Sequence, residues 1–187
     1  MKILHISTDL KFIAPFVEII NKYDKINQHK FIFISKEKKI KRQDNIVFIN
    51  KKSQVIRLIL DLNSHNQIIL HGLFSNVILK ILLIQPWIFK KCYWVMHGGD
   101  FYFPKEQNWI KRHVIRKIKH FITYIKDDFE YVKKWYGAEG KYHECFMYPS
   151  NLYKQHKLKK RTENTLNIQV GNSADPTNNH VEIFEFI

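Results

Sequence analysis

Small and polar residues follow the ends of four predicted β-strands, and these residue types bind or activate polar substrates. The segments are Ser7-Thr8-Asp9, His71-Gly72, His97-Gly98-Gly99-Asp100 and Gly171-Asn172-Ser173. In open α/β sheets, ligands bind at the carboxyl ends of the strands. We therefore expect these segments to converge on one site.

The segment from His97 to Tyr102 carries the residues best suited to acid–base chemistry. Two glycines after a buried strand allow the backbone to approach a ligand closely, or supply a positive φ. Asp100 can deprotonate a sugar hydroxyl, and His97 can do the same or bind phosphate. The alternative interpretation is a tight turn in which Asp100 caps the following segment.

The segment beginning at Gly171 has the pattern of a strand-to-helix turn, with Pro176 suited to the first helical position. Free backbone N–H groups at such a helix start favour an anion such as a diphosphate. Asn172, Ser173 and His180 can add further donors. The pattern is neither a Walker loop nor a dinucleotide-binding glycine motif.

The chain is strongly basic, with 31 Lys and Arg against 17 Asp and Glu and a formal net charge of +14. Such a charge attracts nucleic acid, anionic membranes or phosphorylated small molecules, and does not choose among them. Cys92 and Cys145 lie in apolar, aromatic stretches and are predicted to be reduced residues of buried strands. No cysteine, histidine or carboxylate spacing calls for a metal ion.

Apolar runs of strand length alternate with helical patterns, which predicts an α/β domain with a mainly parallel sheet over residues 1–150. Strands are predicted at 2–7, 30–35, 46–50, 67–71, 91–97, 121–125 and 142–148. The polar segment 151–164 is predicted to be a linker, and residues 165–187 to be the first βα unit of a second domain. Parallel strands need partners, so we expect this second domain to be truncated.

The strand-end motifs resemble those of the TDP-N-acetylfucosamine:lipid II N-acetylfucosaminyltransferases, the 4-alpha-L-fucosyltransferase family or glycosyltransferase family 56. The resemblance covers nearly all of this chain and about half of a typical member. His97 stands where similar sequences have Trp, Ala174 replaces Gly and Thr177 replaces Ser. The motifs that carry the resemblance are Ser7-Thr8-Asp9, His71-Gly72-Leu73-Phe74, Trp94, Gly98-x-Asp100-x-Tyr102, Tyr148-Pro149 and Val170-Gly171-Asn172-Ser173-x-Asp175-x-x-Asn178-x-His180.

The resemblance implies a GT-B-like enzyme with a Rossmann-like, acceptor-side first domain. It implies transfer of N-acetylfucosamine from a TDP-sugar to an undecaprenyl-pyrophosphate-linked disaccharide, in the synthesis of enterobacterial common antigen or a related polysaccharide. The enzyme would act without metal or cofactor, peripherally, at the cytoplasmic face of the bacterial inner membrane, where anionic lipid attracts its positive charge.

The resemblance also implies roles for individual residues. Asp100 and His97 would be catalytic, and the acceptor-side loops would contain Ser7, Asp9, His71, Gly72, Gly98, Gly99 and Tyr102. The donor phosphates would bind Gly171, Asn172, Ser173, Asn178 and His180. We expect this chain alone to have little activity, because half of the donor cleft is absent.

The alternative to a glycosyltransferase is a non-catalytic, basic α/β domain that binds membrane or nucleic acid. Nucleic acid is the weaker partner, since no helix-turn-helix, RRM or zinc signature is present.

Overall fold

The computed structural model describes residues 1–10, 13–35, 43–148, 155 and 180–185. The chain divides into two compact units, Met1–Leu152 and Tyr153–Ile187. The predicted turn with Gly171, Asn172, Ser173 and Asn178 lies outside the described residues, as does most of the predicted linker. The proposed domain limits therefore stay predictions.

The described part of the first unit contains a sheet of seven strands that all pair in parallel. The strand order is β3-β2-β1-β4-β5-β6-β7, which is the doubly wound order of a Rossmann-like fold. The strands are β1 Lys2–Ser7, β2 Gln28–Phe33, β3 Ile46–Phe48, β4 Gln67–His71, β5 Cys92–Val95, β6 His120–Thr123 and β7 Lys141–Glu144. The predicted α/β class and parallel sheet are confirmed.

Helices lie between the consecutive parallel strands in the described residues, except between β2 and β3, where residues 36–42 are outside the described ranges. In the first unit they are α1 Ile13–Tyr23, α2 Val55–Ser64, α3 Asn76–Ile84, α4 Gly98–Phe101, α5 Trp109–Lys117 and α6 Lys126–Tyr136. In the second unit the described residues form α7, His180–Glu185. None of the helices in the described ranges has the length and apolar character needed to cross a membrane.

The two faces of the sheet carry different side chains, because successive residues of a strand point to opposite sides. Leu4 of β1 belongs to the larger apolar core, which also contains Leu58 and Leu62 of α2. His5 points to the other face, where its ring lies 5.6 Å from that of Phe16 on α1. The face under α1 therefore combines apolar packing with buried imidazole groups.

Of the two cysteines, Cys92 agrees with the shared prediction of a buried strand and Cys145 does not. Cys92 begins β5 and is fully buried, and this burial raises the pKa of its thiol to about 12. The prediction for Cys145 was wrong: it is exposed and comes directly after β7, which ends at Glu144. The predicted last strand continued to Tyr148, but ladder pairing with β6 stops at Glu144.

Candidate functional site

The sheet reverses its winding direction between β1 and β4, and this is where open α/β sheets bind ligands. Ser7 and His71 are the last residues of the two strands and lie opposite each other in the ladder. A cavity of about 170 Å³ opens above them. We call it the polar cavity; it is lined by Ser7, Asp9, Ile13, His71, Phe74, His97 and Tyr148.

A second cavity, of about 530 Å³, lies beyond the carboxyl ends of β5 and β6. We call it the apolar cavity, because aliphatic and aromatic side chains dominate its lining. It shares His97 and Tyr148 with the polar cavity, so these two side chains stand where the cavities meet. Its lining residues are Val95, Met96, His97, Gly98, Ile122, Thr123, Tyr124, Ile125, Asp128, Cys145, Phe146, Met147 and Tyr148.

A short turn places Asp9 at the polar cavity. The hydroxyl of Ser7 donates to the carbonyl oxygen of Asp9 at 2.8 Å and accepts from the Asp9 amide at 3.1 Å. Ser7 itself is buried, whereas Asp9 is exposed. Ser7 therefore shapes the loop, and Asp9 is the group of this motif that a ligand can reach.

The positive φ in the site occurs at Gly72 and not at Gly98 or Gly99. The amide of Gly72 lies 3.1 Å from the carbonyl oxygens of both Leu70 and Val95, which ties the loop after β4 to β5. Its φ of 82° suits glycine, and a Cβ at this position would lie 2.6 Å from the Phe74 ring. Gly98 and Gly99 instead begin the short helix α4.

Replacing Gly72 with alanine is expected to lower the free energy of unfolding by about 2 kcal/mol or more, from backbone strain and the clash with Phe74. Gly99→Ala is the matched control, because a Cβ there meets only an ordinary contact at 3.8 Å. Urea denaturation of both variants checks the prediction. Equal stabilities of the two variants would contradict it.

The buried carboxylate of Asp100 connects three segments of this site through hydrogen bonds. The side chain is 0% exposed, and its Oδ2 accepts from the Leu73 amide and the Trp94 indole, each at 2.8 Å. Its Oδ1 accepts from the His97 amide at 3.1 Å. Burial raises the pKa of Asp100 to about 7, opposed by these hydrogen bonds and by Lys111.

The catalytic role of Asp100 as a base stays a prediction, and the buried carboxylate lines neither of the two cavities. The alternative interpretation had Asp100 capping the following segment, whereas its hydrogen bond to the His97 amide runs back to the residue before α4, the helix that contains Asp100. Asp100 holds together the loop after β4, the strand β5 and the start of α4.

His97 is the member of the predicted catalytic pair that reaches both cavities. Its Nε2 lies 3.4 Å from the hydroxyl of Tyr148, and its ring packs beside Phe74. Burial lowers the pKa of His97, and the charge of Asp9 acts in the opposite direction. Near neutral pH the imidazole is therefore uncharged and can either donate or accept a hydrogen bond.

Comparison with known proteins identifies the family. A family model described as "4-alpha-L-fucosyltransferase glycosyl transferase group 56" matches residues 4–187. The chain belongs to this family. It is thus a glycosyltransferase of the fucosyltransferase type. No curated protein and no solved structure matches the chain.

In this fucosyltransferase Tyr102 braces the site from outside. Its hydroxyl donates to Oδ1 of Asp128 at 2.5 Å, and this hydrogen bond, with some burial, raises the pKa of Tyr102 to about 12. Thr123 donates to the other carboxylate oxygen of Asp128 at 3.3 Å. The Tyr102 ring also covers Gly98, where a Cβ would lie 2.9 Å from it. Tyr102 therefore joins α4 to α6, and it lines neither cavity.

The structure adds three polar residues to the predicted site of the fucosyltransferase: Tyr148, Thr123 and Asp128. Tyr148 was noticed only as part of the Tyr148-Pro149 pair, and no spacing in the sequence connects it with His71, 77 positions away. Thr123 and Asp128 stand at the end of β6 and the start of α6, where the general rule on strand ends would have suggested them.

The remaining predicted site residues stand as follows. His71 is buried beneath the polar cavity and accompanies Ser7 and Asp9 there, as the strand-end argument expected. His180 begins α7 of the second unit, and its role in donor binding stays a prediction. In the described ranges of the fucosyltransferase, no group of three or more His, Cys, Asp or Glu could hold a metal ion.

Proposed function

We propose that this fucosyltransferase moves N-acetylfucosamine from a TDP-sugar to an undecaprenyl-pyrophosphate-linked disaccharide, and that the first unit receives the acceptor. The observation that carries the proposal is the junction of a polar and an apolar cavity at His97 and Tyr148. A lipid-linked sugar combines hydroxyl groups with apolar surface, and it needs both kinds of wall.

The polar cavity offers a carboxylate, imidazoles and a phenol to sugar hydroxyl groups. Asp9 can accept a hydrogen bond, while His97 and Tyr148 can each donate or accept one. In the apolar cavity, Ile122 and Phe146 offer surfaces for an acetamido methyl group or the first lipid carbons. We assign Asp9, His97 and Tyr148 to the binding of the acceptor hydroxyl groups.

Charge supports an acceptor that carries pyrophosphate at an anionic membrane. The chain has a net charge of +14, and Lys51, Lys105 and Lys126 stand in segments that follow strand ends. Each basic residue near an anionic surface adds roughly 1 kcal/mol of attraction. Phe103 and Trp109, 69% and 67% exposed, lie on the same segment as Lys105 and can enter the lipid interface.

The donor side belongs to a GT-B-like arrangement in this proposal. Gly171, Asn172, Ser173, Asn178 and His180 would hold the diphosphate of the TDP-sugar, near the start of a helix. The synthesis of enterobacterial common antigen, or of a related surface polysaccharide, is the process that such a transfer would serve. The enzyme would work peripherally at the cytoplasmic face of the inner membrane.

Acceptor binding tests the proposal. The chain is titrated with vesicles that contain anionic lipid, with and without a lipid-pyrophosphate disaccharide, and binding is followed by tryptophan fluorescence. We expect the disaccharide lipid to tighten binding, and His97→Ala to weaken this increment about tenfold, since one good hydrogen bond to a bound ligand contributes about 1.5 kcal/mol.

His113→Ala is the matched control, because His113 lies on α5 and lines neither cavity. An increment that is absent in the unmodified chain, or unchanged in His97→Ala, contradicts the acceptor assignment. Titration with thymidine, uridine and guanosine diphosphates tests the donor separately, and the thymidine compound is expected to bind most tightly.

A further inference from the structure

A continuous series of hydrogen bonds crosses the sheet beneath the polar cavity. The carboxylate of Asp24 lies 2.9 Å from Nε2 of His29, whose Nδ1 lies 2.9 Å from Nε2 of His5. Nδ1 of His5 lies 3.1 Å from Nε2 of His71, and Nδ1 of His71 lies 2.7 Å from the hydroxyl oxygen of Tyr148.

The fold explains why these five side chains meet. His29, His5 and His71 stand on β2, β1 and β4, three adjacent strands, and their side chains share the face under α1. Asp24 follows α1 at the amino edge of the sheet, whereas Tyr148 lies at the cavity on the carboxyl edge. The series thus connects the surface at one edge of the sheet with the site at the other.

The Asp24 carboxylate, at one end of the series, determines which ring nitrogen of each histidine carries the proton. A carboxylate only accepts, so Nε2 of His29 must donate to it, and Nδ1 of a neutral His29 imidazole must then accept from Nε2 of His5. The same reasoning makes Nε2 of His71 a donor to His5, and Nδ1 of His71 an acceptor from the Tyr148 hydroxyl. All three imidazoles carry their proton on Nε2.

We propose that a proton relay runs through Asp24, His29, His5, His71 and Tyr148, in which every hydrogen bond donates in the direction of Asp24. Asp24 sets the histidine tautomers, and Tyr148 takes the proton of a substrate hydroxyl. The proposal rests on the proposed function for the identity of that hydroxyl. Tyr148 is the catalytic residue of the relay, because it alone of the five can touch substrate from a position shared by both cavities. The other four are positioning residues.

The proton balance of the step is closed. As the acceptor oxygen bonds to the anomeric carbon, its O–H bond breaks and the proton moves to the oxygen of Tyr148. Tyr148 passes its own proton to Nδ1 of His71, and the bond from the anomeric carbon to the diphosphate breaks with its electron pair on the phosphate oxygen. The positive charge on His71 is stabilised through His5 and His29 by the Asp24 carboxylate.

After product release, water takes the proton back through Tyr148. No imidazole has to rotate, which matters because His5 and His71 are both nearly fully buried. Burial also lowers the pKa of both imidazoles, so they begin the cycle uncharged.

Asp24→Asn provides a sharp test, because the four donors around this carboxylate are not equivalent. The amides of Ile26 and Asn27 donate to Oδ1 and cannot reverse, whereas His29 and the Asn27 side chain, which meet Oδ2, can. The new amide group should therefore turn its NH2 towards His29. His29 must then accept at Nε2, and every hydrogen bond up to Tyr148 reverses.

The tautomers are read from imidazole ¹⁵N chemical shifts of the whole chain at pH 7.5, without substrate. We expect Nε2–H for His5, His29 and His71 in the unmodified chain, and Nδ1–H for all three in Asp24→Asn. His143→Gln is the control: it breaks the separate 3.1 Å contact between His120 and His143 and should leave the three tautomers unchanged. An Nδ1–H tautomer of His71 in the unmodified chain, or a change confined to His29 in the variant, overturns the relay.

Transfer kinetics test the role of Tyr148. Asp24→Asn is expected to lower kcat at least tenfold with little change in KM, and Tyr148→Phe to lower it about 100-fold, within the range of general acid–base catalysis. Inverted tautomers with an unchanged kcat would reject Tyr148 as the proton acceptor. Absence of the disaccharide-dependent increment in vesicle binding contradicts the proposed function, whereas the spectra alone decide whether the relay exists.

Discussion

Acidification below pH 6.5 is expected to destabilise the chain through His5 and His71, whose pKa values in the folded state lie well below the ordinary value of 6.5. Burial lowers the pKa of His71 to about 3. The unfolded chain therefore binds a proton at each histidine that the folded chain does not. Each group contributes a slope that approaches about 1.4 kcal/mol per pH unit below pH 6.5, so the pair costs on the order of 6 kcal/mol between pH 6.5 and pH 4.

Asp100 contributes a slope of the opposite sign in the same window. Its pKa rises from 3.8 to about 7 on folding, so its stabilising contribution is complete below pH 3.8 and is lost as the pH rises through 7. One carboxyl group cancels about one of the two histidine protons. The net decrease in the free energy of unfolding on acidification should therefore have the slope that corresponds to about one proton. His97, His120 and His143 add smaller contributions with the same sign as that of His5.

Urea denaturation at a series of pH values separates the two contributions. His71→Phe should reduce the acid loss by about 1.4 kcal/mol per pH unit, whereas Asp100→Asn should make it steeper by a similar amount. His113→Gln, on α5, serves as a control for the replacement of a histidine outside the buried His5–His71 pair. A slope in His71→Phe that equals the unmodified one would show that His71 titrates normally in the folded chain.

Asp100→Ala is expected to lower the free energy of unfolding by about 3–5 kcal/mol at pH 7. The substitution leaves the donors of Leu73, Trp94 and His97 without their acceptor in a fully buried position, and each such loss costs about 1–3 kcal/mol without being additive. Asp100→Asn should fall between the alanine variant and the unmodified chain, because its amide oxygen still accepts from one side.

Asp127→Ala is the matched control for this prediction. Asp127 is exposed in the first turn of α6, where its interaction with the helix dipole stabilises by less than about 1 kcal/mol. Far-ultraviolet circular dichroism during urea denaturation gives the free energies. If Asp100→Ala is no less stable than Asp127→Ala, the three hydrogen bonds contribute little to the fold.

The central strands β1, β4, β5 and β6 were predictable because the burial of most of their residues leaves a compact apolar run in the sequence. Gln67–His71 was predicted with the limits that the structure has. Helical patterns between the strands were likewise predictable from the spacing of apolar residues, with the exception of α4. Its four residues are too few for any periodic pattern, and its formation depends on the contact between Asp100 and the His97 amide.

The site was predictable only as far as strand ends determine it. Ser7, Asp9, His71 and His97 converge because parallel strands deliver their carboxyl ends to one edge. The burial of Asp100 and the contact between His71 and Tyr148 join segments far apart in the chain, and a single sequence carries no signal for such pairs. The presence of His5 on a predicted strand likewise does not predict that two histidines of adjacent strands contact it.

The threefold attachment of Asp100 has a consequence for substrate selection. Its three hydrogen bonds join the loops above β4 and β5 into one rigid side of the site. A shift of His97 would therefore disturb the hydrogen bonds of Leu73 and Trp94. The facing side of the cavity, with Phe146 and Met147, extends past the last ladder pair of the edge strand. The rigid side would hence dictate which hydroxyl is presented, and changes of tolerated substrate bulk should be sought by varying Phe146 and Met147.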